Sequence, residues 1–168
     1  MKIPEISKRA MVLVPAFNES ASIENTIKEL SKYFCNIVVV DDGSTDDTYK
    51  IVEKYKIKII RHLINIGQGG ALGTGLNYFL NFEELDYIIT FDADGQHISK
   101  QAFEMLDFAI SKNLLAVIGS RFLKKNSIRL IPKIKKIILL LASFYEYLFF
   151  SIKFSDAHNG IRVLHKKL

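Results

Sequence analysis

Ile37-Val38-Val39-Val40-Asp41-Asp42-Gly43-Ser44-Thr45-Asp46 is the stretch on which the fold turns. Its apolar, β-branched start has no polar alternate, so it reads as a strand buried on both faces, the mark of a parallel sheet covered by helices. The run stops abruptly at two carboxylates and a Gly-Ser-Thr turn. Upstream, residues 11–14 form a similar apolar run ending at Pro15. Between the two, Ile23, Ile27, Leu30 and Phe34 share one helical face, with Asn18 and Ser20 as candidate caps. Downstream, Thr48, Ile51, Val52 and Tyr55 mark a second helix, and residues 57–60 a third strand. Gly67, Gly69, Gly70, Gly73 and Gly75 then lead into a helix containing residues 76–80. Residues 87–91 read as a strand ending in Asp92-Ala93-Asp94, residues 102–110 as a helix, and residues 115–118 as a strand ending in Gly119-Ser120-Arg121. This alternation predicts an α/β fold with a mostly parallel central sheet flanked by helices, in a single domain over residues 1–168.

Composition narrows the chemistry only in part. With 23 Lys and Arg against 18 Asp and Glu, the chain carries a formal charge of +5. That suits an anionic partner, but charge alone does not choose among phosphate groups, acidic lipid and nucleic acid. The distribution says more. Acidic residues cluster early, at Asp41, Asp42, Asp46, Asp47, Asp92 and Asp94, while basic ones thicken from Lys124 onward. The single cysteine, Cys35, excludes an intrachain disulfide and favours a reducing compartment. It is expected as a small buried side chain at a helix end. Residues 1–9 lack an apolar run of signal-peptide length, so a cytoplasmic location is expected.

In open α/β sheets, ligands bind in the crevice beyond the carboxyl ends of the strands. The polar segments that end the predicted strands are therefore the candidate site. Asp92 and Asp94, one residue apart just past a strand, can converge on a hard divalent cation that keeps water ligands and bridges a diphosphate, with Gln96 or His97 as a further ligand. A solvated acidic turn is the plain alternative. Asp41 and Asp42 can accept hydrogen bonds from the ring N–H of uracil or guanine, or cap the following helix, as Thr45 and Asp46 could too. The glycines do not make a dinucleotide fingerprint, because Leu72 stands where its third glycine belongs, and no Gly-Lys-Ser/Thr supports a Walker loop. They either let the backbone approach a nucleotide closely or let a helix pack tightly.

Taken together, five blocks carry a resemblance. Val14-Pro15-Ala16-Phe17-Asn18-Glu19, the 39–46 segment, Asn65-Ile66-Gly67-Gln68-Gly69-Gly70-Ala71-Leu72, Phe91-Asp92-Ala93-Asp94-Gly95-Gln96-His97 and Gly119-Ser120-Arg121-Phe122 occur in the order seen in family 2 glycosyltransferases. The chain most resembles the branch of dolichyl-phosphate mannose synthase and the polyprenyl-phosphate glycosyltransferases. The resemblance implies a GT-A fold, a nucleotide-diphosphate sugar donor, Mg²⁺ or Mn²⁺ as cofactor, and inversion at the anomeric carbon. It implies that Pro15, Phe17, Glu19 and Asp42 meet the nucleotide and that Asp92, Asp94 and Gln96 hold the metal; Ala16, Asp41, Gly69 and Asp92 are further candidate donor contacts. Arg121 resembles the arginine that meets an acceptor phosphate, with Lys135 beside it. Asp156-Ala157-His158-Asn159-Gly160-Ile161-Arg162 resembles the family's Asp-x-x-x-Gly-Phe-Arg segment, Ile161 replacing the usual aromatic. That segment implies an acceptor role for Arg162.

A polyprenyl phosphate acceptor arrives already anionic and needs positioning by Arg121 and Lys135 rather than a strong base. A saccharide hydroxyl would need a base, for which Asp156 is the candidate and His158 the second. Residues 133–154 join Lys133, Lys135 and Lys136 to an aromatic and aliphatic run interrupted by Ser143 and Glu146. The run is too short and too broken for a span of about 20 apolar residues. It fits a helix lying at an anionic membrane surface, or else a core or dimer helix. The expected location is thus peripheral, at the inner face of the cell membrane, with no nucleic-acid partner and self-association left open. Family catalytic domains generally continue past the point matching Leu168, so the domain is expected to be incomplete at its C-terminal end. A shortened, non-catalytic homologue is one alternative. A nucleotide-sugar pyrophosphorylase is another, and it would need a glycine-rich loop with a catalytic Arg or Lys where Pro15-Ala16-Phe17 stands.

Overall fold

The computed structural model describes residues 3–119 and 161–168. After a short 3-10 turn, Glu5–Arg9, the chain alternates strand and helix: β1 (Ala10–Ala16), α1 (Ile23–Leu30), β2 (Ile37–Asp41), α2 (Thr48–Glu53), β3 (Lys58–Arg61), α3 (Gln68–Phe79), β4 (Tyr87–Thr90), α4 (Ser99–Ser111) and β5 (Ala116–Ile118). A last strand, β6 (Arg162–His165), follows. The sheet order is β3-β2-β1-β4-β6-β5. β3, β2, β1 and β4 run parallel, in registers such as Val14 opposite Val39 and Leu13 opposite Thr90. β6 runs antiparallel to β4, with Arg162 opposite Thr90.

Alternation along the strands divides the core in two. Val12, Val14, Val39, Ile89 and Val163 face one side, where Ile23, Ile27 and Leu30 of α1, Val52 of α2 and Ala102, Leu106 and Ala109 of α4 cover them. Met11, Leu13, Val38, Val40 and Ile88 face the other, against Ala71 and Phe79 of α3. Ile23, Ile27 and Leu30 are each fully buried. At about 1.5–3 kcal/mol per buried aliphatic side chain, this stripe outweighs the weak intrinsic stability of so short a helix.

Several expectations change in detail. α3 begins at Gln68, just past Gly67, and contains Gly69, Gly70, Gly73 and Gly75 rather than following them. Of these, Gly75 lets the helix lie close on the sheet: a Cβ there would come within 2.1 Å of Leu13 Cδ1. β6 is not foreseen from the sequence, in which Arg162 closes the acceptor-like segment and residues 163–165 carry no assignment. Cys35 is exposed, not buried. Phe34 takes the last inward position, 1% exposed, and the next residue faces out. Asn18 and Ser20 do not cap α1, whose N-cap is Ser22.

Candidate functional site

The loops after β1, β2 and β4 meet at the carboxyl ends of the parallel strands. Asp42 N–H donates to Ala16 O at 2.8 Å, closing the gap between the first two strand ends. The loop after β1 is then clasped to the loop after β2. Asn18, at φ 55°, accepts the Thr45 amide on its side-chain oxygen at 2.9 Å, while its own amide donates to Ser44 Oγ at 3.0 Å. Glu19 N–H donates to Thr48 Oγ1 at 2.8 Å, and Ser20 N–H to Asp46 Oδ2 at 3.0 Å. Asp46 also accepts the amide and hydroxyl of Thr48 at the start of α2. Burial would raise its pKa, yet the Thr48 and Ser20 hydrogen bonds together prevail and hold it at about 2.

Of the two adjacent aspartates, only Asp42 lines the cleft. Asp41 is fully buried and turned into the loop: its Oδ1 accepts the Ser44 amide at 3.1 Å. Its Oδ2 lies 3.1 Å from Arg61 Nε but off the hydrogen-bonding direction, so this oxygen is in ion contact only. Arg61 also donates to Ser44 O and stacks over the Tyr49 ring. These contacts point Asp41 away from a ligand because the strand pleat turns successive side chains to opposite faces.

Asp42 is gripped by the segment that leads into α3. Its Oδ1 lies 2.6 Å from His62 Nδ1 and accepts the Ile66 amide at 3.1 Å; its Oδ2 accepts the Gly67 amide at 2.8 Å. His62 Nε2 in turn meets Thr74 Oγ1 of α3 at 2.9 Å. Burial acts to raise the Asp42 pKa, but the hydrogen bonds from His62, Ile66 and Gly67 outweigh it and keep the carboxyl below its ordinary value. An ionised carboxylate only accepts, so His62 carries its proton on Nδ1. His62 was missed in the sequence. Its signal was a lone histidine just past the end of a strand, facing the same crevice as the carboxylates.

The cleft itself encloses about 400 Å³ and is lined by Pro15, Ala16, Phe17, Glu19, Asp42, Asn65, Gln68, Ala71, Asp92, Ala93 and Asp94. That volume falls within the usual range for small-molecule sites. Phe17 is exposed at its mouth. Gln68 opens α3, whose first amides, those of Gln68, Gly69 and Gly70, have no partner within the helix. A helix start of this kind favours anions. A Cβ at Gly69 would meet nothing within 4 Å, so no neighbour in the protein requires glycine there.

Asp92 is held from two sides, by Gln68 Nε2 at 3.4 Å on Oδ1 and His97 Nε2 at 3.1 Å on Oδ2. Asp94 accepts the Gln96 amide at 2.9 Å. Each carboxylate keeps lone pairs to spare, so the pair fits a hard divalent cation. Among the described residues, no three His, Cys, Asp or Glu side chains gather to hold an ion unaided. His97 is engaged with Asp92 and Gln96 stands exposed outside the cleft lining. Arg162 sits in β6 opposite Thr90, on the side of the sheet where β4 ends. Arg121, Lys135, Asp156, His158 and the 133–154 segment, expected as a surface helix, lie outside the described residues. Among the described residues, no helix is long and apolar enough to cross a membrane.

Parallel strands ending in a cleft, with carboxylates after β2 and β4 and a helix start between them, define an α/β protein of the GT-A type, the fold of nucleotide-sugar enzymes. Residues 11–168 match the family described as Glycosyl transferase family 2, and the chain belongs to it. It is 32% identical over 177 residues to a UDP-N-acetylglucosamine–dolichyl-phosphate N-acetylglucosaminyltransferase of Methanococcus voltae, covering 95% of this chain and 70% of that protein. It is 23% identical over 171 residues to a polyprenol monophosphomannose synthase of Mycolicibacterium smegmatis, covering 96% of this chain and 63% of the relative. Among solved structures, glucosyl-3-phosphoglycerate synthase of Mycobacterium tuberculosis in complex with UDP superposes with a TM-score of 0.68 at 19% identity, over 99% of this chain and 62% of that one. Mannosyl-3-phosphoglycerate synthase of Rubrobacter xylanophilus gives 0.71 at 17% identity, over 96% and 54%. The chain thus spans just over half to about two thirds of the length of the proteins it matches.

Proposed function

We propose that the protein transfers a sugar, with inversion, from a nucleoside-diphosphate sugar to a polyprenyl-type lipid phosphate. The observation that carries this reading is the meeting in one cleft of Asp42, the Asp92 and Asp94 pair and the start of α3. The names of the Methanococcus and Mycolicibacterium relatives, both lipid-phosphate enzymes, support the acceptor class. In this reading Pro15, Ala16 and Phe17 bound the base, Asp42 accepts its ring N–H, and the free amides of Gln68, Gly69 and Gly70 meet the diphosphate. Asp92 and Asp94 would hold Mg²⁺ or Mn²⁺, which supplies Lewis-acid stabilisation of the leaving charge. His97 and Gln68 keep Asp92 in one rotamer, so little reorganisation is needed as charge develops.

Transfer breaks the bond between the sugar C1 and the diphosphate oxygen and forms one from C1 to an acceptor phosphate oxygen on the opposite face. The electron pair leaves with the diphosphate. Because the acceptor is already anionic, no strong base is required, and Arg121, Lys135 and Arg162 are assigned to orient it. Segment 133–154 is assigned to the membrane surface, with Lys133, Lys135 and Lys136 toward anionic headgroups, which would set the protein at the inner face of the membrane. One experiment tests both assignments. Anionic vesicles carrying polyprenyl phosphate are incubated with labelled nucleotide sugars and Mn²⁺, then floated. Bound protein and labelled lipid are expected, the label falling by about two orders of magnitude in Arg121→Ala, as for loss of a charge-aligning group. Label that appears equally without the lipid phosphate would contradict the acceptor; protein that stays unbound would contradict the membrane assignment of segment 133–154.

A further inference from the structure

Resting on the reading of the cleft as a donor-nucleotide site, we propose that Asp42 makes it selective for uracil and set against guanine. The reasoning is a count of acceptor positions. An ionised carboxylate has about four lone-pair sites, two on each oxygen. Oδ1 of Asp42 is filled by His62 Nδ1 at 2.6 Å and the Ile66 amide at 3.1 Å. Oδ2 accepts the Gly67 amide at 2.8 Å and keeps one site. Its side chain is only 4% exposed, so the face left to a ligand is narrow.

Base chemistry then decides. Among the four RNA bases, only uracil and guanine put a ring N–H on the edge that a carboxylate reads. Uracil offers that single N–H between two carbonyl acceptors. Guanine offers N1–H and an exocyclic amino hydrogen side by side, a pair that asks for both carboxylate oxygens. With Oδ1 filled, guanine's amino group has no acceptor on Asp42, and a donor left unpaired on burial costs affinity. Cytosine and adenine turn a ring lone pair toward the carboxylate and repel it.

The occupancy is built to last. His62 is itself held from α3 by Thr74 Oγ1 at 2.9 Å, and the Gly67 amide is shared with Asn65 Oδ1 at 3.0 Å. Gly43, at φ 74°, brings the backbone of Ile64 and Asn65 so near that a Cβ would lie 2.7 Å from the Ile64 carbonyl carbon. The loop is therefore seated on the turn after β2 and cannot easily lift its amides away from Asp42. His62 is a positioning residue in this scheme: it occupies Oδ1 and never touches the base.

Calorimetry with UDP, GDP and IDP in Mn²⁺ tests the proposal. IDP is informative because hypoxanthine is guanine without the amino group, at the same purine size. UDP is expected to bind at least about tenfold tighter than GDP, and IDP tighter than GDP, as for one unpaired buried donor. His62→Leu should free Oδ1 and narrow the gap between GDP and IDP, while His62→Asn, which keeps an N–H at the Nδ1 position, should restore it. GDP binding as tightly as UDP, or no better binding by IDP than by GDP, overturns the proposal while leaving the donor site intact. If none of the three binds, the donor-site reading itself falls. Should His62→Leu fail to fold, the wild-type UDP, GDP and IDP affinities still decide.

Discussion

Four carboxylates lie within seven residues at the end of β2, Asp41 to Asp47, and the structure gives each a different task. Asp41 accepts the Ser44 amide and faces Arg61; Asp42 fastens the approach to α3; Asp46 ties α2 to the loop after β1; Asp47 pairs with Lys50 on the surface. Asp46 is the one whose thermodynamic role can be read directly. Its folded pKa lies near 2 against an ordinary 3.8, so its contribution to stability is fully present above pH 4 and disappears as pH falls through 2. The shift corresponds to about 2 kcal/mol, reduced to about 1–2 because the residue is partly exposed. Asp46→Asn is expected to destabilise by that amount at pH 7 in urea titration, and the difference from wild type should shrink below pH 3. A pH-independent difference would assign the loss to packing instead. In the sequence these aspartates were equivalent letters at a strand end. That the strand end was functional ground was readable from its abrupt apolar-to-acidic change, but which carboxylate faces the cleft depends on the pleat and on Arg61 and His62, both contributed by the next strand and its exit.

At the scale of elements, α3 carries the most information, because its glycines answer to different demands. Gly75 packs on Leu13, itself 1% exposed and unable to retreat, whereas a Cβ at Gly69 meets open space. Gly75→Ala is expected to cost about 1–3 kcal/mol through overpacking. Gly69→Ala should stabilise the free protein by up to about 1 kcal/mol through helix propensity, yet weaken nucleotide diphosphate binding if the helix start meets phosphate. Thermal melts with and without ligand separate the two. A Gly69→Ala variant that binds as wild type would remove phosphate from that turn. Residues 11–14, 37–40 and 87–91 were recognisable as strands because they are buried on both faces and apolar, Thr90 excepted. β6 was not, since its partner β4 lies 72 residues earlier in the register of Thr90 with Arg162. A strand of four residues with mixed polarity has no periodicity of its own; only the long-range pairing makes it one.

Across the whole molecule, one topological fact organises the site. β1, β2 and β4 run parallel, so their polar exits fall on one edge of the sheet, and the order β3-β2-β1-β4 puts Pro15, Asp42 and Asp92 beside one another although up to 77 residues separate them. Four of the five sequence blocks were visible as a set because each sits at such an exit or at the helix start between them; the fifth, from Gly119, runs into residues outside those described. Their mutual geometry was not, since it follows from the strand order and from the clasp of Asn18 with Ser44, Thr45 and Asp46. The most direct measurement is calorimetric titration of UDP into the protein in Mn²⁺ and in EDTA, for wild type and for Asp94→Asn. A nucleoside diphosphate held through a cation by Asp92 and Asp94 predicts binding that is weakened at least about tenfold by EDTA and, in Mn²⁺, by the substitution, as for loss of the charge-neutralising bridge. Equal affinity in Mn²⁺ and EDTA, with Asp94→Asn indistinguishable from wild type, would contradict it.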